Sequence, residues 1–259
     1  KNNDGYILDV ENTEDVRCII NKVQKDSCCI ETLFDITRGI NPYDALTGQS
    51  QDIIKSRAYH SDSQKDDSFV PELKGRHVGT YYYKWDGVHW ISYGKWLAAP
   101  RDTKYFEGKR IIFREILSNR LVCTIISEPF KIDRSLYIAK PKNESDFSCE
   151  LIQGLLASKL FIFYVKHKFN EFDDLFPKIR VAEFRILPIP TKIKGMFDND
   201  IITLVKSILS AKRTNPSADI SAEEQKIDCL VYHLYNLTYD EVKIVDPETP
   251  ITEEEYYGQ

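Results

Sequence analysis

Long apolar runs are missing from this chain: no stretch approaches 18 uninterrupted hydrophobic residues, so a membrane span is not expected. A charged-then-apolar leader is missing too, which speaks against secretion. The six cysteines (Cys18, Cys28, Cys29, Cys123, Cys149 and Cys229) contain no C-x-x-C pair. Cys28 and Cys29 are adjacent, a spacing unusual for zinc and awkward for a disulfide. The six read as small buried hydrophobes of a protein in a reducing cytoplasm. Methionine is nearly absent, Met196 being the only one, and the chain opens on Lys1. Together these suggest a piece of a longer product.

Catalytic signatures are also lacking. Neither G-x-G-x-x-G nor G-x-x-x-x-G-K-[ST] occurs, and H-E-x-x-H and G-x-S-x-G are absent. The five histidines do not fall at ligand spacing, and His77 and His89 read as polar strand or loop residues. Asn41-Pro42-Tyr43-Asp44 is one proline short of the Asn-Pro-Pro-aromatic loop of base methylation, so it reads as a turn. Three acid-x-Lys triplets, Glu72-Leu73-Lys74, Glu107-Gly108-Lys109 and Glu241-Val242-Lys243, follow upstream aspartates as in Mg²⁺ nucleases. Among 40 acidic residues, three such matches are what chance supplies. No catalytic, cofactor-binding or metal-binding residue is assigned.

The chain does have enough apolar residues to fold, 42% of 259, which excludes a disordered reading. Its net charge of −5 is unevenly spread. Residues 71–140 hold 13 Lys and Arg against 7 Asp and Glu, a net +6, whereas residues 216–259 hold 2 against 11, a net −9. A basic middle therefore lies between acidic ends.

Thr13 precedes an amphipathic pattern through residue 26, with Val16, Ile19, Ile20 and Val23 on one face. Residues 31–70 read as loop around short strands, a mobile arm. From 76 to 139 five β-like segments follow: 77–85, 89–94, 109–117, 120–127 and 135–140. Residues 148–168 predict one long buried helix, 176–190 a short strand or extended segment, and 199–213 and 221–238 amphipathic helices. The acidic tail reads as frayed.

The basic middle interleaves Arg and Lys with Tyr and Trp, a composition suited to phosphate neutralisation and base reading, and equally to a sandwich with a solvated face. Arg101-Asp102 and Arg114-Glu115 could be simple ion pairs.

Taken in order, FDITRGINPYDALTG (34–48), FVPELKGRHVGTYYYKWDGVHWISYGKWLAAPRD (69–102), FEGKRIIFREI (106–116), SLYIAKP (135–141), LIQGLLASKLFIFYVK (151–166) and FPKIRVAEFRILPIP (176–190) resemble the TaqI-like specificity domain. The segment 223–246 is similar to the helical end of such proteins, with its D-x-x-VY-x-LY pattern. This family supplies the target-recognition region of adenine-specific DNA methyltransferases and type IIG restriction-modification enzymes. The resemblance implies an α+β fold, with an irregular antiparallel recognition region, a long buried helix and a helical C-terminal part. It implies a linker at 1–30 from an upstream methyltransferase domain, a recognition domain at 31–190, and a helical region with acidic tail at 191–259. The implied partners are double-stranded DNA and the fused methyltransferase, with no membrane. S-adenosylmethionine, and Mg²⁺ if the parent cuts DNA, would belong to that parent enzyme. Gly39, Gly75 and Leu187-Pro188-Ile189-Pro190 match architectural positions of the family. Arg38, Arg57, Arg76, Lys84, Arg101 and Arg114 are expected to touch phosphate or base. A protein-docking module is the alternative, and a free-standing Mg²⁺ nuclease a third reading.

Overall fold

The computed structural model describes residues 12–143, 148–169, 177–191 and 197–258. Met196 and residues 1–11 of the expected linker, Lys1 among them, lie outside the described residues. Thr13 caps α1 (Glu14–Gln24), its hydroxyl accepting the Val16 N–H at 3.4 Å, while the four predicted apolar residues bury one face. Next come β1 (Ser27–Cys29), α2 (Ile30–Leu33), β2 (Phe34–Arg38), α3 (Gln51–Ser56), β3 (His60–Ser61) and β4 (Phe69–Leu73). The stretch read as a mobile arm thus supplies three strands to the two main sheets. Its period was hidden because the strands are short and paired only with distant segments.

The basic middle folds as β5 (Val78–Gly79), β6 (Tyr82–Tyr83), β7 (Trp90–Ser92), β8 (Arg110–Arg114), β9 (Cys123–Ile126), β10 (Lys131–Ile132) and β11 (Leu136–Pro141). The single strand expected over 77–85 is instead a hairpin. Tyr81 takes φ 67° and turns the chain, so that Val78 faces Tyr83. Then follow α4 (Cys149–Leu156), α5 (Lys159–Phe169), α6 (Val181–Arg185), β12 (Pro188–Pro190), α7 (Asp198–Thr214), α8 (Ser221–Leu234), α9 (Tyr239–Val245) and α10 (Glu253–Tyr257). Residues 181–185 are therefore helical, where an extended segment was expected. The tail forms α10 on a Thr252–Glu255 capping box and buries Tyr256.

One sheet, ordered β2-β11-β8-β9, is antiparallel throughout. The other, β10-β4-β7-β3, is mixed, with β10 parallel to β4. The first sheet is buried on both faces. Ile111, Phe113, Tyr137 and Ala139 enter a core shared with α1, α4, α5, α7 and α8. Their alternates Ile112, Leu136 and Ile138 enter a second core with Leu73, Ile91 and Ile132 of the mixed sheet. The order is helices, sheet, sheet, and the helical C-terminal part shares its core with the sheet. Gly39 sits where the chain passes between the sheets: a Cβ there would lie 2.2 Å from the Asp133 carbonyl oxygen. The absent side chain permits the Ile40 N–H to reach the Ile132 carbonyl at 2.7 Å.

The long helix expected at 148–168 is broken at Ala157–Ser158, and the break has its own partners. Arg120 donates from Nη1 to the Ala157 carbonyl at 2.9 Å, and the Lys159 N–H donates to Asp228 Oδ1 at 2.8 Å. Ser158 Oγ accepts the Phe161 N–H at 3.4 Å and so starts α5. Arg120 and Asp228 join each other in a bidentate pair at 2.9 and 2.5 Å, both nearly buried. The helix expected at 221–238 likewise ends at Leu234, because Asn236 adopts φ 54° and Thr238 caps α9. Of the cysteines, only Cys123, Cys149 and Cys229 are buried; Cys18 is exposed and Cys28 and Cys29 are half-buried in paired β1. Among the described residues no helix is long and apolar enough to cross a membrane.

Candidate nucleic-acid interface

Arginines from five segments meet around the Asp133–Ser135 turn that leads into β11. Arg38, at the end of β2, donates from Nε to the Arg134 carbonyl at 2.7 Å and pairs with Glu115 at 2.5 Å. Arg134 reaches Asn41 Oδ1 at 3.3 Å. Arg57 closes α3 in the left-handed region, at φ 52°. It lines a cavity of about 310 Å³ together with Arg134, Glu115, Tyr43 and Ser135. Ser135 Oγ accepts the Gly75 N–H at 3.1 Å, and the Arg114 Nε lies 3.9 Å from where a Gly75 Cβ would be. That contact brings Arg114, from the end of β8, and Arg76, beside Gly75, to the same edge. Among the described residues Arg57, Arg114 and Arg134 have no carboxylate within ion-pair distance, so the edge keeps an uncompensated positive charge.

Arg76 is held by a hydrogen-bonded hub. The Lys74 N–H donates to His77 Nδ1 at 3.1 Å, and His77 Nε2 lies 3.0 Å from Asp86 Oδ2 and 3.4 Å from Arg76 Nε. His89 Nδ1 lies 2.7 Å from the same carboxylate, and the Val88 N–H donates to it at 3.1 Å. The second nitrogen of His89 then accepts from Arg76 Nη2. Burial lowers the His77 pKa and keeps the ring neutral. Burial also opposes ionisation of Asp86, yet its hydrogen bonds from His89, Val88 and His77 outweigh this and hold the carboxyl well below the usual range. His77, Asp86 and His89 are close enough to share a metal ion. In this structure the three side chains bond to one another and to Arg76, whose Nε lies 3.4 Å from His77 Nε2. The cluster therefore serves to orient Arg76.

Other sequence candidates fall elsewhere. Arg101, at φ 68°, donates from Nε to the carbonyls of Arg38 and Gly39 at 2.9 and 3.2 Å, bracing the edge from beneath. Burial and the neighbouring Arg38 both lower its pKa. Lys84 faces a separate cleft with Lys109 and Arg213. Arg110 of the basic stretch is fully buried, its guanidinium bonded to the carbonyls of Gly108 and Glu128 at 2.7 Å. Neither adjacent charge pair forms: Glu115 belongs to Arg38, and Asp102 caps a short 3₁₀ turn through the Lys104 N–H. Arg134 escaped the sequence reading; its only signal was a polar turn inside the basic stretch.

The acid-x-Lys triplets do not assemble metal sites. Glu72 is fully buried with His60 at 3.2 Å and Lys74 at 3.5 Å, Lys109 is spent on Glu150 at 2.6 Å, and Glu241 caps α9 and pairs with Lys22. Tyr43 Oη lies 2.8 Å from His60 Nδ1, making a Tyr43–His60–Glu72 chain that ends in the 310 Å³ cavity. Burial raises the Tyr43 pKa, which is opposite to what a nucleophilic phenolate needs.

The α+β fold thus gathers five arginines along one edge. Residues 70–189 match the family model of the TaqI-like C-terminal specificity domain. The fold is similar to that of the type IIG restriction endonuclease BpuSI (TM-score 0.50, 12% identity, 86% of this chain and 33% of that one). It is similar also to the type IIL restriction-modification enzyme MmeI, solved in complex with DNA (TM-score 0.50, 13% identity, 90% of this chain and 37% of that one). The chain spans about a third of the length of these structures. No curated protein matches it.

Proposed function

We propose that this chain reads a specific sequence in double-stranded DNA for a restriction-modification enzyme of the type IIG kind. The observation that carries this reading is the convergence of Arg38, Arg57, Arg76, Arg114 and Arg134 at one edge with only two carboxylate partners, Glu115 and Asp86. Such an edge suits phosphates, and a guanidinium can also take a guanine edge through two hydrogen bonds. The turns around 39–43, 75–77 and 133–135 enter a groove while the cations clamp the backbone. The held duplex presents an adenine to a methyltransferase domain fused to this chain, which flips and methylates it. S-adenosylmethionine, and Mg²⁺ for any cleavage, belong to those other domains, in the cytoplasm of the host cell. The family match and the fold of the two restriction-modification enzymes support this assignment.

The test is duplex binding by fluorescence anisotropy over a salt series. The chain should bind weakly, with affinity falling steeply as salt rises. R57A, R114A and R134A should each weaken binding several-fold and flatten the salt slope by about 1. No retention of any duplex at low salt, or association only with protein and insensitive to salt, would refute the reading.

A further inference from the structure

A cavity of about 680 Å³ lies apart from the arginine edge, between the β5–β6 hairpin and the end of α7. We propose that it is a second phosphate-binding cleft, which takes the sugar–phosphate backbone of the bound nucleic acid on the opposite side of the hairpin from Arg76. The inference deepens the DNA-reading assignment and rests on it.

Four cations border the cleft: Lys84 after the hairpin, Lys109 before β8, and Lys212 and Arg213 in the last turn of α7. Its two acids are engaged. Glu150 pairs with Lys109 at 2.6 Å, and Glu128 takes a hydrogen bond from the Tyr83 hydroxyl. Lys84 and Arg213 have no ion-pair partner among the described residues, and Lys212 lies 6.0 Å from the Tyr82 ring while donating to the Pro216 carbonyl at 3.0 Å. The cleft therefore holds two cations in excess of its acids.

Its floor adds neutral donors. β9 is the edge strand of its sheet. The Val122 carbonyl accepts the Arg114 N–H on the β8 side, whereas the Cys123 carbonyl points the other way and accepts the Tyr81 N–H at 3.0 Å. Antiparallel alternation then turns both the N–H and the carbonyl of Ile125, opposite Ile111, away from β8 and toward the cleft. Cations with an open backbone N–H and tyrosine rings at the wall form a chemistry for phosphodiesters, not for apolar ligands.

The hairpin links this cleft to the arginine edge. The Lys84 N–H donates to the His77 carbonyl at 2.8 Å, which ties Lys84 to the Arg76–His77 turn. Cations flank the hairpin on both sides, as an element seated between two backbone strands requires.

The test compares the chain with K84A/R213A, whose side chains lie outside both cores, and with K226A, an exposed cation of α8. Circular dichroism and melting should be unchanged in all. The double variant should lose about tenfold in affinity for any duplex at low salt and flatten the salt slope by about 2, with K226A like wild type. Duplex should also shield Lys84 from amine acylation. If wild type binds duplex and K84A/R213A binds equally, the cleft assignment is wrong while the DNA-reading assignment stands. If inorganic triphosphate raises the melting temperature of wild type but not of K84A/R213A, and duplex affinity is the same in both, the cleft serves a free phosphate ligand and the proposal is overturned. Failure of wild type to retain any duplex removes the assignment on which it rests.

Discussion

Removal of the Asp228 carboxylate should be among the costliest single changes in this protein. Asp228 is 4% exposed and sits on α8, where it accepts two hydrogen bonds from Arg120 and one from the Lys159 N–H. Arg120, 9% exposed, also bonds the Ala157 carbonyl. In D228A the guanidinium stays buried with only Glu224, 3.5 Å from its Nε, as counter-charge, and the first turn of α5 loses an acceptor. Breaking one side of a buried pair costs about 3–5 kcal/mol. Glu224 and the Ala157 carbonyl remain, so the lower end, about 3 kcal/mol, is expected. In urea, with a slope near 3 kcal/mol/M for a chain of this size, the midpoint should fall by about 1 M. R120M/D228L, which removes both charges and keeps volume, should recover most of the loss. A cost below about 1 kcal/mol, or R120A and D228A losses that simply add, would refute the view that this pair locks the helix break to α8.

Other outcomes follow from single contacts. G39A places a methyl group 2.2 Å from one backbone oxygen and 2.5 Å from another, neither of which can yield like a side chain; a loss of at least about 2 kcal/mol is expected in thermal melts. Among the described residues the Thr124 hydroxyl is buried without a partner, so T124V should be neutral or stabilise by up to about 1 kcal/mol, and a clear loss would reveal a bonded partner. His233 stacks on Tyr256 at 4.1 Å, and burial lowers its pKa, with the hydrogen bond to the Tyr256 carbonyl opposing in part. Between its folded value and about 6.5 the unfolded chain binds more protons, so stability should fall as pH drops through 6.5 and level off below the folded value. H233Q should remove that part of the pH dependence, as chemical melts at pH 7.5 and 5.5 will tell.

Where contacts are local, the sequence reading succeeds. α1 appears where Thr13 and the Val16–Val23 stripe place it, β8 and β9 stand within their predicted spans, and β11 exceeds its span by Pro141 alone. Asp228, legible only as part of a D-x-x-VY pattern, acquires its reason from Arg120, 108 residues away. The break at Ala157–Ser158 was illegible for the same cause: nothing in LLASKL ends a helix until Arg120 and Asp228 supply partners for the interrupted turn. The arginine edge was legible in part. Arg38, Arg57, Arg76 and Arg114 do gather, but Arg101 turned inward and Lys84 away, since composition cannot tell which carbonyls a guanidinium will meet. Arg134 and the hub of His77, Asp86 and His89 depend on turns closing over distance, which periodicity does not encode.

The double burial of β8 and β11 separates two kinds of position in this chain. Every residue from Ile111 to Phe113, and from Leu136 to Ala139, is committed to one core or the other, so these strands tolerate little drift. Arg57, Arg114 and Arg134 project where the strands and helices end, and their replacement disturbs neither core. On the proposed reading, the side chains that meet the target can therefore be exchanged at little risk to folding, because the two cores that fix the strands lie elsewhere.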